Sequence, residues 1–425
     1  MDTFSTNAAG GLDPSFANNG IFTFSQDIYG AFVVGGIAPG PDEGFLIAGR
    51  GESATEGKDL YAISRLTANG QPVPGFGENG MLIRRFKPDA ASFAGVTALT
   101  QDGKLLVSGY YHVRPSLERK PALVRHLITG EIDTGFGEEG AVFFDFPPPK
   151  VSEFETNPAG GPPDTPYEYF SFRITPLPDG KILFSGVIES QRDISDSRYS
   201  VLGRLNPDGS LDQTFATQGY LYPKPPRNIV EQHLVLPDGN ILLAGQMENV
   251  PGHRGYVARY LPSGELDRTF GSAGYCFIDG LTGGHLTALA RYGDNGLMVG
   301  ANQYFGGSRP WNGLLVGLTT EGDRDPDFNG GNPVEVKLGS SGFRLILKDL
   351  IIDGDGIVLL GDMGNIAVAR YWLDGSPDVN FGDRSGWQEY PGNESYDLLR
   401  QPDGKFLATA MSTSGEKIVA RFLNQ

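Results

Sequence analysis

Gly264–Tyr275 reads GELDRTFGSAGY. It holds a glycine, an Asp three residues on, a Phe, and a closing Gly-x-x-Gly. The stretch recurs as GGLDPSFANNG, GQPVPGFGENG, GEIDTGFGEEG, GSLDQTFATQG, GDRDPDFNGGN and GSPDVNFGDRSG. The shared Phe falls at Phe16, Phe76, Phe136, Phe215, Phe270, Phe328 and Phe381, and the six intervals average about 61 residues. A loop that occurs seven times at a fixed period is a structural unit before it is a site.

Three further elements repeat in phase. An Asp-Gly turn precedes an apolar run in QDGKLLVSG, PDGKILFSG, PDGNILLAG and PDGKFLATA, a hairpin signal. An apolar strand ending in Arg follows in YAISRL, ALVRHL, SVLGRL, GYVARY, IAVARY and KIVARF; LLVGL lacks the Arg. A short strand follows the Gly-x-x-Gly, as in GIFTF, GAVFFDF and GYCFID. No stretch of helical length shows a 3.6-residue apolar period. Four short antiparallel strands in seven copies predict an all-β fold: a seven-bladed β-propeller of four-stranded blades spanning residues 1–425 as one domain. An open β-solenoid is the alternative. The chain ends at KIVARFLNQ, just before the corner element is due, and begins at NAAGGLDPSF, which is that element. The two ends are therefore expected to complete one blade together and remove the open edge.

The motif Gly-x-Leu-Asp-x-x-Phe-Gly-x-x-Gly at this spacing resembles the bacterial delta-60 repeat family, best at Gly130–Gly140, Gly209–Gly219 and Gly264–Gly274. The resemblance implies a propeller-type repeat protein and brings no catalytic residues with it.

Arg and Asp recur eight residues apart: Arg125 with Asp133, Arg204 with Asp212, Arg259 with Asp267, Arg370 with Asp378, and Arg421 with Asp13 across the closure. An ion pair fixing each corner is expected, with a ring of ligand-binding carboxylates as the other reading. Arg65 faces Val73, and Gly317 precedes Asp325, so two copies lack the pair. The corner Phe is expected to plug the space between blades.

Bulk properties narrow the function classes. The chain carries 34 positive and 51 negative residues, a net of -17, which disfavours nucleic acid and anionic lipid. No apolar run is long enough for a transmembrane helix, and MDTFSTNAAGG lacks the features of a signal peptide. A cytoplasmic location, or export without a cleaved signal, is expected, with the chain a monomer. The single Cys276 permits no disulfide and sits in an apolar strand.

Local motifs yield no cofactor or metal. GFGENG and GFGEEG match a dinucleotide fingerprint but open a strand instead of a helix. Asp323-x-Asp325-x-Asp327 starts like a calcium loop, but Phe328 and Val334 occupy the positions needing Gly and Glu. His112, His126, His233, His253 and His285 have no metal spacing and are expected at the surface or in cavities.

Strand alternation places the Asp-Gly turns and the corners on one face, and the long variable connections on the other. Variable loops on a rigid scaffold carry binding. They are Tyr110–Arg119, Glu189–Arg198, Gln246–Arg254, Gln303–Trp311 and the Pro/Gly-rich insertion Pro147–Pro166. Tyr110, Tyr111, Tyr167, Tyr169, Phe170, Tyr304, Arg309 and Trp311 are the candidate partner-binding residues there. The expected function is non-enzymatic binding of a macromolecule, a protein partner foremost. A glycan-binding propeller and a hydrolase or lyase with a site at one end of the central channel are the alternatives.

Overall fold

The computed structural model describes residues 8–53, 57–113, 119–146, 172–189, 198–224, 228–247, 254–278, 284–304, 311–338, 343–382 and 386–424. Seven four-stranded antiparallel sheets make up the fold. The blade built around the opening stretch shows the plan: Asn228–Val235, Ile241–Met247, Arg254–Tyr260 and Tyr275–Ile278 pair in chain order. Its apolar runs are β-rich, and its turns carry the glycines that tight reversal requires.

The first strands of the blades are Val33–Pro39, Ala90–Leu99, Arg173–Pro176, Asn228–Val235, His285–Tyr292, Ile346–Asp353 and Glu394–Arg400. Each touches its two neighbours in an unbroken cycle, so these strands ring the central channel. In six of them the register against the second strand slips by one residue, at Gly35, Gly95, Glu231, Thr287, Lys348 and Tyr396. Such bulges bend a strand and re-aim its side chains.

The seventh blade contains both ends of the described chain. Ile21–Phe24 pairs with Lys417–Phe422, running Ile21 against Ala420 through Phe24 against Lys417. The junction continues backward: Gly10 N–H donates to the Leu423 carbonyl at 2.7 Å, and Leu423 N–H to that of Gly11 at 2.9 Å. Closure thus follows the phase of the repeat.

The core is divided among the seams between blades, and all seven corner phenylalanines lie at 0–1% exposure. Regular structure outside the blades includes a one-turn helix, Gln26–Tyr29, and a two-stranded pairing of Lys337–Leu338 with Phe343–Arg344. The insertion Pro147–Pro166 lies outside the described residues.

Candidate functional site

The corner resolves into a seam lock. In GELDRTFGSAGY, Asp267 N–H donates to the Arg259 carbonyl at 2.9 Å, and Gly274 N–H to that of Phe270 at 2.8 Å. The Asp267 carboxylate accepts from Thr269 N–H at 3.0 Å and from Arg259 Nε at 2.7 Å. The same Nε–Oδ2 separation of 2.7 Å joins Arg125 to Asp133, Arg204 to Asp212 and Arg370 to Asp378. Arg421 Nη2 lies 2.8 Å from Asp13 Oδ2.

Each guanidinium also lies over its own blade's Phe, with Cζ 4.3 Å from the ring centre at Phe136 and 4.8 Å at Phe215 and Phe16. It then reaches the next blade: Arg204 Nη1 donates to the Pro262 carbonyl at 2.8 Å, and Arg421 Nη1 to that of Ala68 at 2.7 Å. A backbone link runs alongside, from Ala216 N–H to the Ser263 carbonyl at 2.7 Å and from Gly271 N–H to that of Glu321 at 2.8 Å. The first glycine of each corner explains itself here. Gly264 has φ +89°, and a Cβ placed on it would lie 3.1 Å from Cζ of Phe215 in the preceding blade.

Lysines of the Asp-Gly turns join from the same face. Lys181 and Lys405 lie 2.9 Å from Asp212 and Asp13, and Lys104 lies 3.1 Å from Asp133. Burial alone would raise the Asp13 pKa. Hydrogen bonds from Ser15 and Lys405, with the Arg421 charge, outweigh burial and hold it at about 2. In the blade where Gly317 replaces Arg, the Tyr292 hydroxyl donates to Asp325 instead. Arg65, whose corner has Val73, pairs with the exposed Asp42 at 3.4 Å.

The channel holds a second polar set that no shared motif announces. Arg173 Nε donates to the Glu231 carbonyl at 2.7 Å, and Glu231 Oε2 accepts Leu286 N–H at 2.7 Å. Asp349 Oδ2 accepts Leu398 N–H at 3.0 Å, and Asp397 Oδ2 accepts Ile37 N–H at 3.0 Å. Each contact passes from the first strand of one blade to that of the next. The free inner edges need acceptors, and these carboxyls supply them. Protein surrounds Glu231 deeply enough to push its pKa up to about 8, against the opposing pull of Leu286 N–H and Arg173. His233 sits between Thr175 at 2.7 Å and Ser185 at 2.6 Å, and burial lowers its pKa to about 3. Among the described residues no group of His, Cys, Asp and Glu has a metal-holding arrangement.

The sequence-predicted binding residues fare unevenly. Tyr110 and Tyr111 are buried, at 5% and 7% exposure, and do not present their rings to solvent. The strand Leu105–Val113 runs two residues past them, so they pair with Pro121 and Lys120 inside the sheet. The Tyr110 hydroxyl donates to the Val187 carbonyl at 3.3 Å, and Tyr111 packs edge-on against Phe143. Tyr304 and Trp311 are opposite one another in the backbone ladder. Tyr167, Tyr169, Phe170 and Arg309 lie outside the described residues. His126, expected at the surface or in a cavity, is fully buried, with Nε2 3.0 Å from the Tyr61 hydroxyl.

Sequence reasoning passed over a different set. Six large apolar side chains are exposed among the described residues: Ile28, Val33, Val113, Ile346, Trp372 and Val379. Val33 and Ile346 begin first strands and Val113 ends a second strand, all at the variable-loop side. Ile28 lies in the connection between the seventh and first blades. Val33, Phe93 and Ile346 occupy the same rung, two residues ahead of the bulge. Phe93 stacks on His112 at 5.9 Å, with the Arg50 and Arg119 guanidinium carbons 5.7 and 5.8 Å from its ring centre. Trp372 and Val379 belong to the opposite, corner face.

Residues 177–215 and 236–270 match the family described as "Domain of unknown function (DUF5122) beta-propeller". No curated protein matches the chain. Among solved structures it is similar to a putative oxidoreductase (glucose dehydrogenase) from Thermus thermophilus, at 15% identity, with 95% of this chain and 99% of that one covered and a TM-score of 0.39. It is similar also to the polysaccharide lyase Uly1, at 10% identity, 100% and 94% coverage and a TM-score of 0.47. A third is the β-propeller domain of the trilobed protease from Pyrococcus furiosus, at 11% identity, 83% and 96% coverage and a TM-score of 0.36. The family match and the seven closed sheets agree that the chain is a β-propeller repeat protein.

Proposed function

We propose that this propeller is a non-enzymatic binding scaffold of the delta-60 repeat kind that engages a protein partner through its variable-loop face. One observation carries the reading. Among the described residues, four of the six exposed large apolar side chains, Ile28, Val33, Val113 and Ile346, stand at that face, where burial against a partner would repay their exposure to water. The corner face is already committed to locking seams. The channel carboxyls are likewise committed to inner-edge N–H groups.

The test is a matched pull-down from the native source. Val33→Asp/Ile346→Asp protein is expected to lose a partner that wild type and Val379→Asp protein retain. Equal recovery by all three proteins, or loss only with Val379→Asp, would refute the reading.

A further inference from the structure

Asp349 and Asp397 sit on the first strands of the sixth and seventh blades, directly after their bulges. One backbone N–H, that of Leu398, lies 3.0 Å from Asp349 Oδ2 and 3.0 Å from Asp397 Oδ1. The outer oxygens extend the line: Asp349 Oδ1 accepts Leu350 N–H at 2.8 Å, and Asp397 Oδ2 accepts Ile37 N–H at 3.0 Å. A continuous chain of contacts therefore crosses the inner strands of the sixth, seventh and first blades. The seventh is the blade that contains both ends of the described chain.

Two carboxyl groups sharing one donor repel unless a hydrogen lies between them. We propose that a proton held between Asp349 and Asp397 latches the closing blade, and that its loss loosens the seams on either side of that blade. One cation bears on the pair, and the other charged groups nearby are held by partners of their own. The inner strand of the first blade, Val33–Pro39, has no ionisable side chain, nor does Ala90–Leu99 of the second. From the third blade Arg173 faces both carboxyls, and from the fourth Glu231 faces Arg173. On the sixth, Lys348 is held by Asp362 at 3.2 Å, and Asp353 by Arg400. On the seventh, Glu394 pairs with Tyr396, which also accepts from Lys417. His233 and His285 have pKa values lowered to about 3 and about 4, so both are neutral near neutral pH.

Burial raises the Asp349 pKa, and the Asp397 charge and hydrogen bond raise it further, against the pull of Leu398 and Leu350 N–H. The sign follows. The latch is complete below the unfolded carboxyl value and is lost as pH climbs through the folded one.

Hydrogen exchange on the intact protein, followed from just above the unfolded carboxyl value into the alkaline range and corrected for intrinsic rates, tests this. Protection of Ile21–Phe24, Val33–Pro39 and Glu394–Arg400 is expected to fall by up to about tenfold per pH unit while the second and third blades hold. In Asp349→Asn protein the shared proton is gone, so the alkaline loss in these three segments should vanish, while Glu231, with its pKa at about 8, still titrates between the fourth and fifth blades. Wild-type protection that is independent of pH, or that falls alike in every blade, overturns the proposal, and this measurement does not require the variant to fold. So does an alkaline loss that persists unchanged in Asp349→Asn protein.

Discussion

Replacing Asp212 with Ala isolates the seam lock in a blade that has all of its parts. Asp212 is 4% exposed, and its carboxylate meets Arg204 Nε at 2.7 Å, Lys181 Nζ at 2.9 Å and Thr214 N–H at 3.0 Å. Arg204 is itself only 13% exposed. Truncation leaves that guanidinium without its carboxylate, and breaking a buried pair this way costs about 3 kcal/mol. At about 2 cal/mol/K per residue, unfolding a chain of 425 residues carries an entropy near 0.9 kcal/mol/K, so the melting temperature should fall by about 3 °C. Differential scanning calorimetry at neutral pH reads this directly. Two controls sharpen it. Asp42→Ala removes the 91% exposed partner of Arg65 and should leave the melting temperature within about 1 °C. Arg204→Met/Asp212→Leu replaces the pair with apolar volume and should recover more than half of the loss. An unchanged melting temperature in Asp212→Ala protein would refute the reasoning. So would a double variant no better than the single one.

Gly264→Ala should destabilise by about 1–2 kcal/mol in a denaturant titration, because φ is +89° and the new Cβ would press on the Phe215 ring. Asp13 contributes stability present above an unfolded carboxyl pKa near 3.8 and lost as pH falls to about 2. Asp13→Asn should remove about 2 kcal/mol of that acid dependence, visible as a flatter plot of unfolding free energy between those values. Tyr292→Phe should cost about 1 kcal/mol by denaturant unfolding, since its hydroxyl stands in for the Arg missing before Asp325.

The repeat was legible because its corner makes demands that few residues meet. Gly264 must take a left-handed backbone against an aromatic ring, Phe270 must fill a seam, and Asp267 must cap a turn. The glycine and the Phe recur in all seven corners and the Asp in six, with Val73 the exception, which makes blade number and closure readable. The eight-residue spacing of Arg and Asp also translated into contact. The second bond of each Arg did not, because its acceptor is a backbone carbonyl such as that of Pro262, and a carbonyl has no letter of its own. Glu231, Asp349 and Asp397 escaped notice for a similar reason. They serve N–H groups of Leu286, Leu398 and Ile37, on strands that share no polar motif. Tyr110 and Tyr111 misled because aromatic letters near a loop do not say where the strand stops. The exposed apolar set is scattered over Ile28, Val33, Val113 and Ile346, and only the folded ring brings it to one face.

The junction of Gly10 and Gly11 with Leu423 joins by hydrogen bonds what the other blades join by covalent chain. A rearranged gene that links Leu423 to Gly10 through a short spacer and opens between Met247 and Arg254 would present the same seams in a new order. The seventh blade would then be woven from one uninterrupted stretch, and the fourth would inherit the two-ended role.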